Sequence, residues 1–170
     1  MTLRRRLGRS VIAAMACIAA VLLATPAAAG TTVSFGGAYA PGTIVIKTNE
    51  RRLFYVIDDK RAVRYSVGVG KAGMQWTGRS RVTGKYLKPD FVMPDDLRRK
   101  NTPSVIPAGS PRNPLGAAAL TLHADYAIHG TNNPGSVGRF VSHGCIRMYN
   151  SDVMDLYRRV SVGTPVIVTR

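Results

Sequence analysis

The chain has 170 residues, with 24 Lys and Arg against nine Asp and Glu, three His and two Cys, for a formal net charge of +15. That length is one domain plus a short leader, and two cysteines exclude a disulfide-stapled scaffold. The charge suits a polyanionic neighbour such as an acidic polymer or anionic head groups, but the basic residues run along the chain instead of lining one helix, which argues against nucleic acid.

In chain order, Arg4, Arg5, Arg6 and Arg9 precede an apolar run from Val11 to Ala24, and Thr25-Pro26-Ala27-Ala28-Ala29 supplies small residues. This is the order of a secretory signal peptide, assigned to residues 1–29. The apolar run falls short of the roughly 20 residues that cross a bilayer, so no membrane span is expected after cleavage; an uncleaved anchor is the alternative. Cys17 leaves with the signal, and Cys145 remains without a disulfide partner. An unpaired thiol in an exported protein invites oxidation and mispairing unless chemistry requires it.

Residues 30–41 are expected as a flexible lead-in, and 42–170 as the folded domain. Thr43 to Lys47 and Arg52 to Ile57 flank the turn-like Thr48-Asn49-Glu50 and predict a hairpin. Val63, Tyr65, Val67 and Val69 alternate with smaller or polar residues, as in a strand with one buried face. A glycine-bearing loop from Gly70 to Ser80 holds Trp76, a core plug or a groove wall. Arg81 to Lys88 reads as a further strand.

Pro89 to Gly116 holds six of the ten prolines, which limits Pro94–Arg99 to one helical turn. An ordered lid is expected here, because a disordered linker would divide the chain into two pieces too small for stable cores. Ala117–Leu122 and Asp125–His129 are short apolar segments around His123, which is expected to be structural. Asn150 or Ser151 can cap a helix carrying Val153, Leu156, Tyr157 and Val160, with Asp152 in its first turn and Arg158 and Arg159 in its last. Thr164 to Thr169 closes the chain as a strand. The class is therefore mainly β, with one late helix and a long proline-rich loop.

The chemistry concentrates in Ile128 to Asn150, IHGTNNPGSVGRFVSHGCIRMYN. A free thiol has a pKa of about 8.5 and needs a base, a nearby positive charge or oriented amides to become a nucleophile. His143 lies two residues before Cys145, so on an extended strand the two share a face roughly 6.6 Å apart, and Arg147 continues it. His129 approaches from another segment, as is usual for such pairs. Gly144 allows close backbone approach, and its amide with that of Cys145 can form an oxyanion hole.

This pattern resembles the L,D-transpeptidase catalytic-domain family: His129-Gly130-Thr131, a spacer, then Ser142-His143-Gly144-Cys145-Ile146-Arg147-Met148. Weaker matches are Gly42-Thr43-Ile44-Val45, Tyr65 to Gly70, and Asn113-Pro114-Leu115-Gly116. The resemblance implies a β-sandwich-like domain acting on peptidoglycan stem peptides in the periplasm or cell envelope, as a monomer and without cofactor or metal. Cys145 would attack the carbonyl between residues three and four of a tetrapeptide stem, releasing D-alanine, and pass the acyl group to an amine in a 3→3 cross-link. Water would make it a carboxypeptidase; a protein or free D-amino acid could also accept.

The resemblance further implies His129 as base, oriented by a backbone carbonyl near Gly130, and His143 supporting the thiolate or oxyanion. It places Gly130, Ser142 and Gly144 at the substrate, and Arg147 either in the fold or on a substrate carboxylate. The proline-rich stretch has no motif that maps onto the family residue by residue. Three rivals stand beside this reading. They are a zinc site of His129, His143 and Cys145, a papain-like or cell-wall endopeptidase, in which the cysteine would precede its histidine, and a noncatalytic wall-binding protein.

Overall fold

The computed structural model describes residues 29–94 and 103–170; the signal-peptide segment and most of the turn expected at Pro94–Arg99 lie outside them. The strands are β1 (Thr31–Ser34), β2 (Ile44–Lys47), β3 (Arg52–Val56), β4 (Arg61–Ser66), β5 (Val69–Gly70), β6 (Gly78–Arg81), β7 (Gly84–Leu87), β8 (Phe91–Val92), β9 (Val105–Ile106), β10 (Ala118–Thr121), β11 (Ala127–His129), β12 (Phe140–Ser142), β13 (Ile146–Arg147) and β14 (Pro165–Thr169). The one α-helix among the described residues, α1, is Asn150–Arg159. The fold is mainly β with a late helix, as the sequence predicts.

One sheet has six strands in the order β1-β4-β3-β2-β14-β6, and a second has four, β13-β11-β10-β7. The predicted hairpin is β2–β3, antiparallel, with Ile44 opposite Tyr55 and Lys47 opposite Arg52. The closing strand β14 runs parallel to β2 on its other side. Ile44, Ile46, Leu53, Tyr65, Val166 and Val168 of the large sheet meet Leu120, Ile128 and Ile146 of the smaller one and Val153 and Leu156 of α1 in one core. Arg81–Lys88 is not one strand. β6 ends in the large sheet and β7 begins in the small one, and buried Val82 carries the chain between them, its amide bonded to Thr164 O at 2.9 Å.

Residues 30–41 also depart from expectation. Strand alternation sends Ile44 and Ile46 to the main core and Val45 to the opposite face, where Phe54, Val56 and Ala62 also lie. A sheet apolar on both faces must be covered twice. The cover comes from this segment: Phe35 stacks on Phe54 with ring centroids 4.6 Å apart, Val33 and Tyr39 pack alongside, and β1 pairs with β4.

The described part of the proline-rich excursion is ordered. β8 pairs with β9, and Met93 N–H donates to Ser104 O at 2.8 Å. Buried Asn113 ties the base, donating from Nδ2 to Pro89 O at 2.9 Å while its Oδ1 accepts from Leu115 N–H at 2.9 Å. Phe91 and Val92 of β8, with Pro94, line a cleft together with residues of β10, β11 and β13.

Candidate active site

β11 and β13 run parallel, Ile128 opposite Ile146 and His129 opposite Arg147. Period-two alternation therefore puts Ala127, His129 and Arg147 on one face, and Cys145, just before β13, lines the same cleft. His129, Ser142, His143, Cys145 and Arg147 all line one cleft of about 630 Å³, roofed by Phe91, Val92 and Pro94 and flanked by Tyr126 and Leu115. The lid residues that the sequence could not assign are these apolar ones.

His129 is buried at 4 % exposure, with Nδ1 2.6 Å from Gly130 O. A carbonyl only accepts, so Nδ1 carries the proton and Nε2 keeps its lone pair. Burial, opposed by the Gly130 and Pro114 carbonyls and reinforced by the Arg147 charge, drives the imidazole pKa down to about 4. The ring is neutral near pH 7, the form a base requires. Burial pushes the Cys145 thiol above its usual range, with a backbone hydrogen bond from Ala127 and the Arg147 charge opposing. The resting pair is thus thiol and neutral imidazole, so the proton must move during reaction.

Behind His129 stands Asn150. It is the first helical residue, not the cap expected from sequence; the cap position is Tyr149, which makes no side-chain capping bond. Instead Asn150 Oδ1 accepts from Ala117 N–H at 3.0 Å and Thr131 N–H at 3.1 Å, and Nδ2 donates to Thr131 O at 3.1 Å. This clamp fixes the turn whose carbonyl orients His129. A Cβ at Gly130 would run into Asn150 Oδ1 and Ala117 N, so Gly130 packs behind His129 and is absent from the cleft lining.

The Ser142–Cys145 segment is not an extended strand. β12 stops at Ser142 and the chain bends through His143 and Gly144, whose φ is +123° and whose α-carbon faces the Tyr126 ring. Ser142 Oγ donates to Cys145 O at 2.6 Å and accepts from Gly144 N–H at 3.1 Å. The Ser142 hydroxyl is consumed as a brace, and the Gly144 amide expected in an oxyanion hole is engaged by it. His143 is an exposed residue of the cleft wall, with Nε2 3.2 Å from Lys71 Nζ.

Trp76 is half-buried against the main core, as a plug would be, and does not line the cleft. Its Nε1 donates to Gly144 O at 3.0 Å and its ring stacks on Tyr126 at 5.0 Å, propping the bend from behind. His123 packs edge-on against Trp76 and bonds Ser80 Oγ through Nδ1 at 2.7 Å, outside the cleft. Arg147 lines the cleft, and its buried Nε has no hydrogen-bond partner among the described residues. Among the described residues no group of three His, Cys, Asp or Glu is arranged to hold a metal ion.

The family model YkuD, the L,D-transpeptidase catalytic domain, matches residues 41–168. The chain belongs to the L,D-transpeptidase catalytic-domain family. YqjB of Bacillus subtilis (strain 168) is 40 % identical over 138 residues, covering 76 % of this chain and 73 % of that one. YbiS of Escherichia coli (strain K12) is 38 % identical over 132 residues, covering 72 % and 43 %; both carry L,D-transpeptidase in their names. The chain thus spans less than half the length of that E. coli relative. An L,D-transpeptidase structure from Mycobacterium smegmatis superposes with a TM-score of 0.61 at 21 % identity, covering 84 % of this chain and 69 % of that one, a likeness of fold. Cysteine-dependent transpeptidase chemistry is the property of the L,D-transpeptidase family to which these residues belong.

Proposed function

We propose that Cys145 is the nucleophile of an L,D-transpeptidase that forms 3→3 cross-links in peptidoglycan, with His129 as its base. The observation that carries this is the 2.6 Å bond from His129 Nδ1 to Gly130 O, which leaves Nε2 unprotonated in the cleft that also holds Cys145. Nε2 accepts the thiol proton as Sγ attacks the carbonyl between stem residues three and four. The tetrahedral intermediate collapses, the C–N bond breaks, and the D-alanine amine leaves with the proton that His129 returns. The acceptor amine then attacks the thioester, gives its proton to His129, and Cys145 leaves as thiolate and is reprotonated. A neutral base and a neutral thiol need no separated charges before substrate binds, which suits a buried site.

With Gly144 N–H engaged by Ser142, the Cys145 amide is the main-chain candidate for the oxyanion. Arg147, with its unpartnered Nε, supplies positive charge for a stem carboxylate. An exported, cell-envelope location follows from the substrate and from the leader in residues 1–29. Incubation with purified disaccharide-tetrapeptide and mass spectrometry of the products tests the reading. Cross-linked dimer supports it, tripeptide alone would make the enzyme a carboxypeptidase, and unchanged substrate would contradict both.

A further inference from the structure

We infer that Lys71 is a positioning residue for His143, holding its imidazole in the Nδ1–H tautomer so that it offers the cleft a hydrogen-bond donor. The lysine is not a loose surface chain at its root. Val69 and Gly70 of β5 pair with Phe140 and Ser142 of β12, Lys71 N–H donates to Ser142 O at 3.0 Å, and Lys71 O accepts from Met74 N–H at 2.9 Å. The backbone of Lys71 is therefore stitched to the residue just before His143, and its Nζ lies 3.2 Å from His143 Nε2.

The chemistry of the two groups fixes the direction of that bond. An ammonium has donors and no acceptor, so Nε2 accepts and Nδ1 carries the hydrogen. His129 has the same tautomer for the opposite use. Its Nδ1–H is spent on Gly130 O, leaving an acceptor at Nε2, whereas His143 spends its Nε2 lone pair on Lys71 and keeps a donor at Nδ1. Both residues line the cleft with Cys145, which thereby meets one proton acceptor and one neutral donor. With Gly144 N–H bonded to Ser142 Oγ, the bend offers the Cys145 amide alone, and a developing oxyanion is better held by a second donor. This use of the donor rests on the acyl-transfer reading given above.

The test combines imidazole 15N NMR with acylation kinetics. Spectra are recorded near about pH 8, where a free imidazole is neutral, on wild type, Lys71→Met and Lys71→Arg. The acylation rate of Cys145 by a carbapenem is followed by intact mass. The expected results are an Nδ1–H signal for His143 in wild type and Lys71→Arg, and a shift toward Nε2–H in Lys71→Met. The Lys71→Met acylation rate should fall about fivefold to tenfold, the size of one lost hydrogen bond, with Lys71→Arg close to wild type. An Nε2–H tautomer in wild type would overturn the inference, as would a Lys71→Met variant that acylates at the wild-type rate. Failure of wild type to acylate at all would instead strike the acyl-transfer reading, while the NMR comparison would still decide the tautomer.

Discussion

The two histidines of the cleft show how little of a residue's chemistry lies in its type. Both are imidazoles lining the cleft of one thiol, yet the carbonyl of Gly130 holds the proton of His129 on Nδ1, and burial lowers its pKa to about 4, below the roughly 6.5 of a free imidazole. That shift has a consequence for stability. Between the two values the unfolded chain binds a proton that the folded chain does not, so stability rises with pH across this window and falls as pH drops from about 6.5 toward 4. The contribution reaches about 3 kcal/mol at its full extent. Urea unfolding of wild type and His129→Gln at several pH values checks it: the wild-type curve should lose this increment on acidification, and the difference between the proteins should shrink by it.

At the scale of elements, the site is a junction of short pieces held by side-chain clamps. Asn150 bridges the start of β10, the turn after β11 and the start of α1 through three hydrogen bonds. Replacing it with Ala strands the Ala117 and Thr131 groups that it satisfies, at a cost of about 2–4 kcal/mol. Denaturant midpoints should show that loss in Asn150→Ala, and turnover should fall further than stability explains, because the Gly130 carbonyl loses its anchor. In the sequence the same asparagine stands where a helix cap belongs, and only the three-dimensional approach of Ala117 and Thr131 reveals its use.

The hairpin β2–β3, the helix and the His129 and Cys145 pair were legible because each is written locally, in alternation, in helical spacing, or in a compact motif. The bend at Gly144 was not, since β-branched and apolar neighbours suggest a continuous strand and the Trp76–Tyr126 stack that forces the turn is assembled from distant segments. Residues 30–41 were misread for a similar reason. Phe35 and Tyr39 look isolated until the second apolar face of β2 and β3 is known to need them.

For the whole molecule, two sheets and a helix share one core, and the cleft is lined by residues of the smaller sheet and of β8. Residues 30–170 keep a large excess of Lys and Arg over Asp and Glu, a charge that attracts polyanions and is screened beyond a Debye length of about 8 Å at physiological salt. Binding to an anionic wall fraction should weaken steadily as salt rises; salt-independent binding would point to a shape-specific surface instead. The central claim, that Cys145 carries the acyl group and His129 delivers it there, is tested most directly by intact-protein and peptide mass spectrometry after incubation with disaccharide-tetrapeptide alone. Wild type should carry a disaccharide-tripeptide adduct on the Cys145 peptide, and His129→Ala and Cys145→Ala should carry none. An adduct on another residue, or an undiminished one in His129→Ala, would contradict it.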